Sequence, residues 1–482
     1  MTESKIGAAI AELECARDDV HGLAEDLVAE IRETTGRLLA EIGPEARGDD
    51  GTRIGARVEE LAIRARGAVV SFRDRAGKII ECQVEWADRI REREDAAAGR
   101  NASATAVREP PVTVANGAPG PTTVPPVLAV EPDELTALFN AYADASTDAT
   151  RWTGADSTYS VELPDKRVVW VFSDTLVGPV FPDGTRPALV EGGDLHMPAN
   201  TFVVQDRTSL STVMGTRTVR GHDGPVPGPL VAPFGARHPK DLYWAGDAQL
   251  SDGQVEIMYR RYVDSDFAGI CAVVRFDPAA LDRPMDHVEL PDESPVAWGS
   301  ALRRAQGYTY VYGSEDTPSG KYLQIARVPG DSMIGTWEYY TGDGRWSPDV
   351  NAATRQLPGV ANEFSVTPLN GGYLLLTHDT TTPLSPDIVG YMGPTPYGPF
   401  EDKTTLYTTP ETGVDGTYGS PRVYTHNAHA HLRVDSDPGE LLVSYNVHAW
   451  PLPDEATDAN NDELLGDVSV FRPRFVKIRF AS

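Results

Sequence analysis

The chain has 482 residues, 40% of them hydrophobic, and a formal net charge of -28. That length fits two or three domains. The charge excludes nucleic acid and anionic membrane surfaces as main partners, because both would repel it. No apolar run is long enough to span a membrane. Glu3, Glu12, Glu14, Asp18 and Asp19 break up the start of the chain, so no ordinary secretory signal is visible. Cys15, Cys82 and Cys271 form neither a disulfide framework nor a zinc motif and are expected as isolated thiols.

Residues 1–100 carry a helical pattern. Ile6, Ile10, Leu13, Arg17, Val20, Ala24, Leu27, Ile31, Thr34 and Leu38 fall on alternating steps of four and three, the spacing of a coiled-coil seam. Gly43-Pro44 ends that helix, and Gly48-Asp49-Asp50-Gly51 has turn chemistry. A second helix follows, with Val58, Ala62, Ala65, Val69, Phe72, Ala76, Ile79, Gln83, Trp86 and Ile90 on the same alternation. Each helix would run roughly 60 Å and neither buries its stripe alone. The expectation is a helical hairpin or coiled coil that also engages copies of the chain or an assembly partner.

Residues 101–130 turn to Ala, Pro, Thr, Val and Gly, with Pro110-Pro111 and Pro125-Pro126, which predicts a semi-stiff linker. A short helix is expected over Glu131 to Tyr142, opening a second domain over 131–482. From Trp152 onward five hairpin-like units recur: Trp152–Thr175, Trp244–Tyr262, Trp298–Asp316, Asn362–Asp379 and His429–Asn446. Their turns are Pro-Asp, Ser-Asp-Gly, Gln-Gly, Asn-Gly-Gly and Asp-Pro-Gly. Alternation before each turn and a continuous apolar run after it predict one strand beside a polar space and a neighbour buried between layers. The spacing leaves room for four strands per unit, which describes the blades of a β-propeller. Outer strands are expected at Tyr322–Val328, Asp387–Met392 and Arg474–Phe480, the last closing the ring by pairing with the first blade.

Three of these units have an acid at or near the head: Asp156, Asp247 and Glu363. An acid at a strand head is often only a turn cap, but three comparable units sharing one favour a common pocket. Asp174, Glu315 and His431 fall near that pocket in the hairpin pattern, and Trp244 and Trp298 stand at unit starts, where they would stack on sugar rings or pack between blades. His429 and His431 share one face of a strand, a spacing compatible with a metal ion.

Trp152-Thr-Gly-Ala-Asp-Ser-Thr-Tyr-Ser160, Val171-Phe-Ser-Asp-Thr175 and Pro394-Thr-Pro-Tyr-Gly-Pro-Phe400 resemble the five-bladed β-propeller glycosidases and their relatives. The likeness is to propeller domains of actinobacteria, a related group of which includes endo-D-arabinanases. It covers about residues 131 to 482. The fold class expected is therefore mainly β, a five-bladed β-propeller preceded by an α-helical hairpin or coiled coil. The resemblance implies an Asp base in the first blade, a supporting Asp in the second and a Glu acid in a later one. Asp156, Asp247 and Glu363 match in turn, although the better-known members carry the Glu in the third blade and Glu363 falls in the fourth unit; Glu315 is the alternate. No cofactor is required by this chemistry, and an axial calcium ion near a fifth-blade His is what some relatives imply.

The function expected is a glycoside hydrolase acting on an actinobacterial cell-envelope polysaccharide of arabinan type. The alternative is a non-catalytic glycan-binding, receptor-recognising protein of a phage tail or injection device; a propeller serving only as a scaffold is the third. Location follows from those options: with the virion, exported by a leaderless route, or otherwise cytoplasmic.

Overall fold

The chain divides into two compact units, Met1–Thr105 and Ala106–Ser482. The computed structural model describes Ala29 and Thr34 of the first unit, and residues 120–190, 193–219, 224–236, 240–290, 293–432, 439–450 and 462–481 of the second. Ala29 and Thr34 are helical and exposed. The rest of the expected coiled coil, and the linker as far as residue 119, lie outside the described residues.

The second unit is a five-bladed β-propeller. Strand β1 (Val127–Pro132) and helix α1 (Glu134–Asp144) come first. Asp133 caps the helix by accepting the amide of Leu135 at 2.9 Å. The first blade takes β2 (Trp152–Ala155), β3 (Tyr159–Glu162), β4 (Val168–Phe172), β5 (Thr175–Val177), β6 (Thr201–Asp206) and β7 (Ser209–Val213). Its sheet is ordered β3-β4-β6-β7, while β2 and β5 pair as a separate ribbon, as do β8 (Gly215–Thr218) and β9 (Pro225–Gly228). The second blade is β10 (Asp241–Ser251), β11 (Gln254–Val263), β12 (Asp266–Phe276) and β13 (Asp286–Glu289). The third is β14 (Val296–Ala305), β15 (Tyr308–Thr317), β16 (Gly320–Pro329), β17 (Glu338–Gly342), β18 (Arg345–Ser347) and the short β19 (Leu357–Pro358). The fourth is β20 (Phe364–Leu369), β21 (Gly372–His378), β22 (Asp387–Gly393) and β23 (Glu401–Thr408). The fifth holds β24 (Val423–His431), β25 (Glu440–Ala449) and β26 (Pro473–Phe480), with helix α2 (Asp462–Gly466) before its last strand.

Local sequence explains the hairpins. Asp252-Gly253, Gln306-Gly307 and Asn370-Gly371 all take positive φ at both central positions, the two-residue turn whose twist matches the flanking strands. The strand after each turn is buried almost throughout: Val255–Arg260, Thr309–Glu315 and Leu374–His378. The first strands β3, β10, β14, β20 and β24 neighbour one another in that order, and β24 returns to β3. These five line the axis.

Several expectations need correction. The tail strand β26 does not pair with the first blade; it pairs with β25 on one side and β1 on the other, Val127 opposite Phe480. The fifth blade is thus three late strands completed by the earliest one. Val127 and Val130 pack against the same core as Val443, Val476 and Ile478, and this burial wins over the linker-like composition. The end of the expected linker is therefore a blade strand, and the helix begins at Glu134 rather than Glu131. The Trp152–Thr175 stretch is also two structures: β2 pairs with β5, and only β3 and β4 form the blade hairpin, with Asp156-Ser157-Thr158 as the corner between them.

Candidate functional site

The inner strands do not run smoothly past the axis. Register slips between Ala245 and Ala248 in β10, between Trp298 and Ala301 in β14, and between His426 and His429 in β24. Such bulges turn a side chain out of the pleat and re-aim it. In β10 the bulge carries Gly246-Asp247. A Cβ on Gly246 would lie 2.5 Å from the carbonyl oxygen of Gly299 in the next blade's bulge, so a glycine is what allows the two blades to meet there.

Asp156 sits at the corner ahead of β3. Its backbone is fixed to the end of the neighbouring strand: the Asp156 amide donates to Asp174 O at 2.8 Å, and the Ser173 amide donates to Asp156 O at 2.9 Å. Its Oδ1 accepts the Ser157 amide (2.8 Å), His426 Nε2 (2.8 Å) and Asn427 Nδ2 (2.9 Å). Burial alone would raise this carboxyl, but the charge and hydrogen bond of His426 hold it well below the usual carboxylate range. His426 is the reciprocal case: burial works against its charge, and Asp156 overcomes that and raises it. Each partner favours the charged form of the other, and the Asp156 side chain keeps 29% of its surface exposed.

Glu363 stands immediately before β20. Its Oε2 lies 3.4 Å from the Thr158 amide, two residues along the chain from Asp156. Burial, helped by the negative charge of Asp156, pushes its carboxyl up to about 8 against the pull of Arg260. It therefore holds a proton at neutral pH. Asp247, one blade away, is pushed up to about 7 by burial. Its Oδ1 accepts the Ala248 amide at 2.8 Å and its Oδ2 the Leu302 amide at 2.7 Å, which staples the second blade to the third. Arg260 of β11 ties these groups together. Its guanidinium donates to Ala245 O (2.6 Å), Asn362 O (3.2 Å) and Tyr159 Oη (3.1 Å), and its charge acts on both Asp247 and Glu363. Asn446 of β25 completes the frame, donating to Ala155 O at 3.0 Å and accepting from Thr158 Oγ1 at 3.3 Å.

The three acids expected from the sequence thus meet in one network of charges and hydrogen bonds. Asp174 and Trp244 adjoin it: the indole N–H of Trp244 donates to Asp174 Oδ1 at 3.0 Å, and its ring packs on Tyr262 at 4.1 Å. Trp298 and Glu315 are placed otherwise. Trp298 is 2% exposed and packs on Trp337 and Tyr339. Glu315 is held by both guanidinium arms of Arg355 at 2.8 Å and by Gln324 at 2.6 Å. At its bulge the third blade presents Gly299-Ser300, with no carboxylate. Asn427, Asn446 and Arg260 were not among the expected site residues, and His426 stood out in the sequence only as a companion of His429 and His431 in a possible metal site. Of the other three, only Arg260 leaves a trace in the sequence, as a charged residue directly after the apolar run Ile257-Met258-Tyr259.

Beyond Asp247, a cavity of about 410 Å³ runs along the axis, lined in part by Ser160, Arg303, Thr367, His429 and His431. His429 Nε2 lies 3.8 Å from Asp247 Oδ1, and burial lowers its imidazole to about 4, so the ring is neutral. The His429 and His431 rings are 5.3 Å apart, and both His431 nitrogens are engaged at 2.8 Å, one with Ser160 Oγ and one with Ser444 Oγ. With one ring already bonded on both sides, the pair does not fit a metal, and a nitrogen donor set suits calcium poorly, since that ion takes oxygen ligands. Among the described residues no group of three or more His, Cys, Asp or Glu is arranged to hold an ion.

Blade number and strand order define the class: a five-bladed β-propeller, here with an acid cluster at the heads of its inner strands. Within it the chain belongs to the family described as Domain of unknown function (DUF5005), which matches residues 139–480. No curated protein is significantly similar to it. Among solved structures, a putative hydrolase from Bacteroides ovatus ATCC 8483 is 20% identical, with 72% of this chain and 90% of that one covered and a TM-score of 0.58. At that identity the likeness shows the fold alone. Looser neighbours are the α-L-arabinofuranosidase of Podospora anserina in complex with cellotriose (12% identity; 75% and 96% covered; TM-score 0.40) and a GH43_1 enzyme of Xanthomonas citri complexed with xylotriose (13%; 72% and 93%; 0.38).

Proposed function

We propose that this propeller is a glycoside hydrolase whose general acid is Glu363 and whose ionised carboxylate is Asp156. The observation that carries this reading is the opposite displacement of two neighbouring carboxyls, one kept protonated near neutrality and one kept charged. Glycosidic cleavage needs that pair: an acid to protonate the leaving oxygen, and a carboxylate to activate water or attack the anomeric carbon. When Glu363 gives up its proton, Arg260 is already in place to balance the new charge. Asp247, with both oxygens on backbone amides, positions the second and third blades rather than the substrate. A cell-envelope polysaccharide of arabinan type is the substrate to test first.

A non-catalytic glycan-binding role is the second reading, favoured by the burial of Glu363, which is only 2% exposed. Incubation with arabinogalactan and with arabinan, followed by product analysis, separates the two. Release of oligosaccharides that drops by about 10²–10⁴-fold in Asp156→Asn and in Glu363→Gln supports the hydrolase. Binding without release supports the receptor-like role, and neither binding nor release across a broad glycan panel removes both.

A further inference from the structure

The fifth blade carries aromatic side chains that run from solvent to the charged cluster. Tyr424 and His426 of β24 lie two residues apart, and β25 places His448 opposite Tyr424 and Asn446 opposite His426. Trp450 follows β25, its amide donating to Arg422 O at 3.0 Å. The rings are close to parallel and evenly spaced. Trp450 stacks on Tyr424 at 5.0 Å and 20°, Tyr424 stacks on His448 at 5.5 Å and 26°, and Tyr424 meets His426 at 5.2 Å and 34°. His426 then donates to Asp156. Trp152, Trp170 and Trp298 are 0–2% exposed, yet Trp450 at the outer end is 48% exposed. Among the described residues its indole N–H makes no hydrogen bond.

A large flat ring left half in water, with a free donor on its edge, is suited to a ligand that offers both an apolar face and hydroxyls. A sugar ring offers both. From this arrangement we infer that Trp450, backed by Tyr424, is a remote subsite for an extended glycan, two ring-to-ring steps from His426, which itself bonds the carboxylate. Each step is comparable to the length of one sugar residue. The subsite therefore engages a sugar some two residues from the bond at Asp156, and a ligand too short to reach it gains nothing from it. This rests on the reading of the acid cluster as a glycan site. Tyr424 is the support that sets the indole's angle, and Trp450 is the group that touches sugar.

The test is binding to the disaccharide and the hexasaccharide of arabinan, and to the matching xylan and cellulose fragments, by calorimetry on the full chain. Wild type is expected to bind the long fragment of at least one series more tightly than the short one. Trp450→Ala is expected to abolish that advantage, weakening the long fragment roughly 3- to 10-fold, and Trp450→Phe to retain most of it. A circular dichroism spectrum and melting curve like those of wild type establish that each variant is folded. Long fragments bound as tightly by Trp450→Ala as by wild type overturn the subsite and leave the acid cluster standing. No binding of any fragment by wild type removes the glycan reading itself, and this subsite with it.

Discussion

Asp156 and Glu363 are both carboxyls, separated only by what surrounds them. His426, Asn427 and the Ser157 amide all point at one oxygen of Asp156, whereas Glu363, met by the Thr158 amide at 3.4 Å and hydrogen-bonded by Ser157, is buried next to a charge of its own sign. The pH dependence follows. Activity is expected to hold from mildly acid pH to neutrality and to fall as Glu363 loses its proton near pH 8, in a pH–rate profile that reports the pair rather than either group alone. Stability carries the same signature. Between the ordinary value of 4.5 and about 8 the folded chain keeps a proton that the unfolded chain releases, so this group's contribution is present below 4.5 and is lost as pH rises toward 8. Glu363→Gln cannot ionise. It is expected to raise the melting temperature at pH 9 by roughly 2 °C or more relative to its effect at pH 4, measured by calorimetry; an equal effect at both pH values would contradict the shift.

At the scale of the strand, function depends on interruptions. Three inner strands bulge close to the cluster, and at Gly246 the bulge needs a residue without a side chain because the Gly299 carbonyl stands where a Cβ would go. Gly246→Ala is expected to cost about 1–3 kcal/mol and to displace Asp247 from the Leu302 amide. Chemical denaturation checks the first, and an activity loss larger than the stability loss explains checks the second. The hairpins were legible in the sequence because Asp-Gly, Gln-Gly and Asn-Gly specify their turns almost unaided. The acids at the strand heads were legible because they recur. The bulges were not, since a one-residue slip leaves no mark in a hydrophobic pattern. Nor was the pairing around Asp156: its partners His426 and Asn427, and Asn446 beside them, come from the opposite end of the domain, and only closing the ring brings them to it. Trp298 shows the converse limit. It occupies the same place in its hairpin as Trp244, yet the packing of Met258, Trp337 and Tyr339 encloses it.

At the scale of the whole propeller, closure relies on a ladder and a polar clamp. The ladder is β1 on β26. The clamp is Arg186, fully buried against backbone: its guanidinium donates to Thr153 O (2.9 Å), Val468 O (2.8 Å), Val470 O (3.2 Å) and Leu464 O. Arg472 reaches the same Thr153 carbonyl at 2.9 Å and pairs with Asp144 of α1 at 2.9 Å. Arg186→Met keeps the volume and strips the donors. It is expected to destabilise by at least about 3 kcal/mol, since each buried carbonyl left without a donor costs roughly 1–3 kcal/mol, as read from urea unfolding. The ladder has a consequence in time. Val127–Pro132 is synthesised ahead of the other blade strands, while its partner Pro473–Phe480 follows every other strand of the propeller. At about 5–20 residues per second, translation leaves that first strand waiting for tens of seconds with its edge unclaimed. Whatever reaches it in that interval, a chaperone or the late strand of a neighbouring nascent copy, competes with the chain's own Pro473–Phe480 strand, and strand exchange between copies is the misassembly this architecture invites.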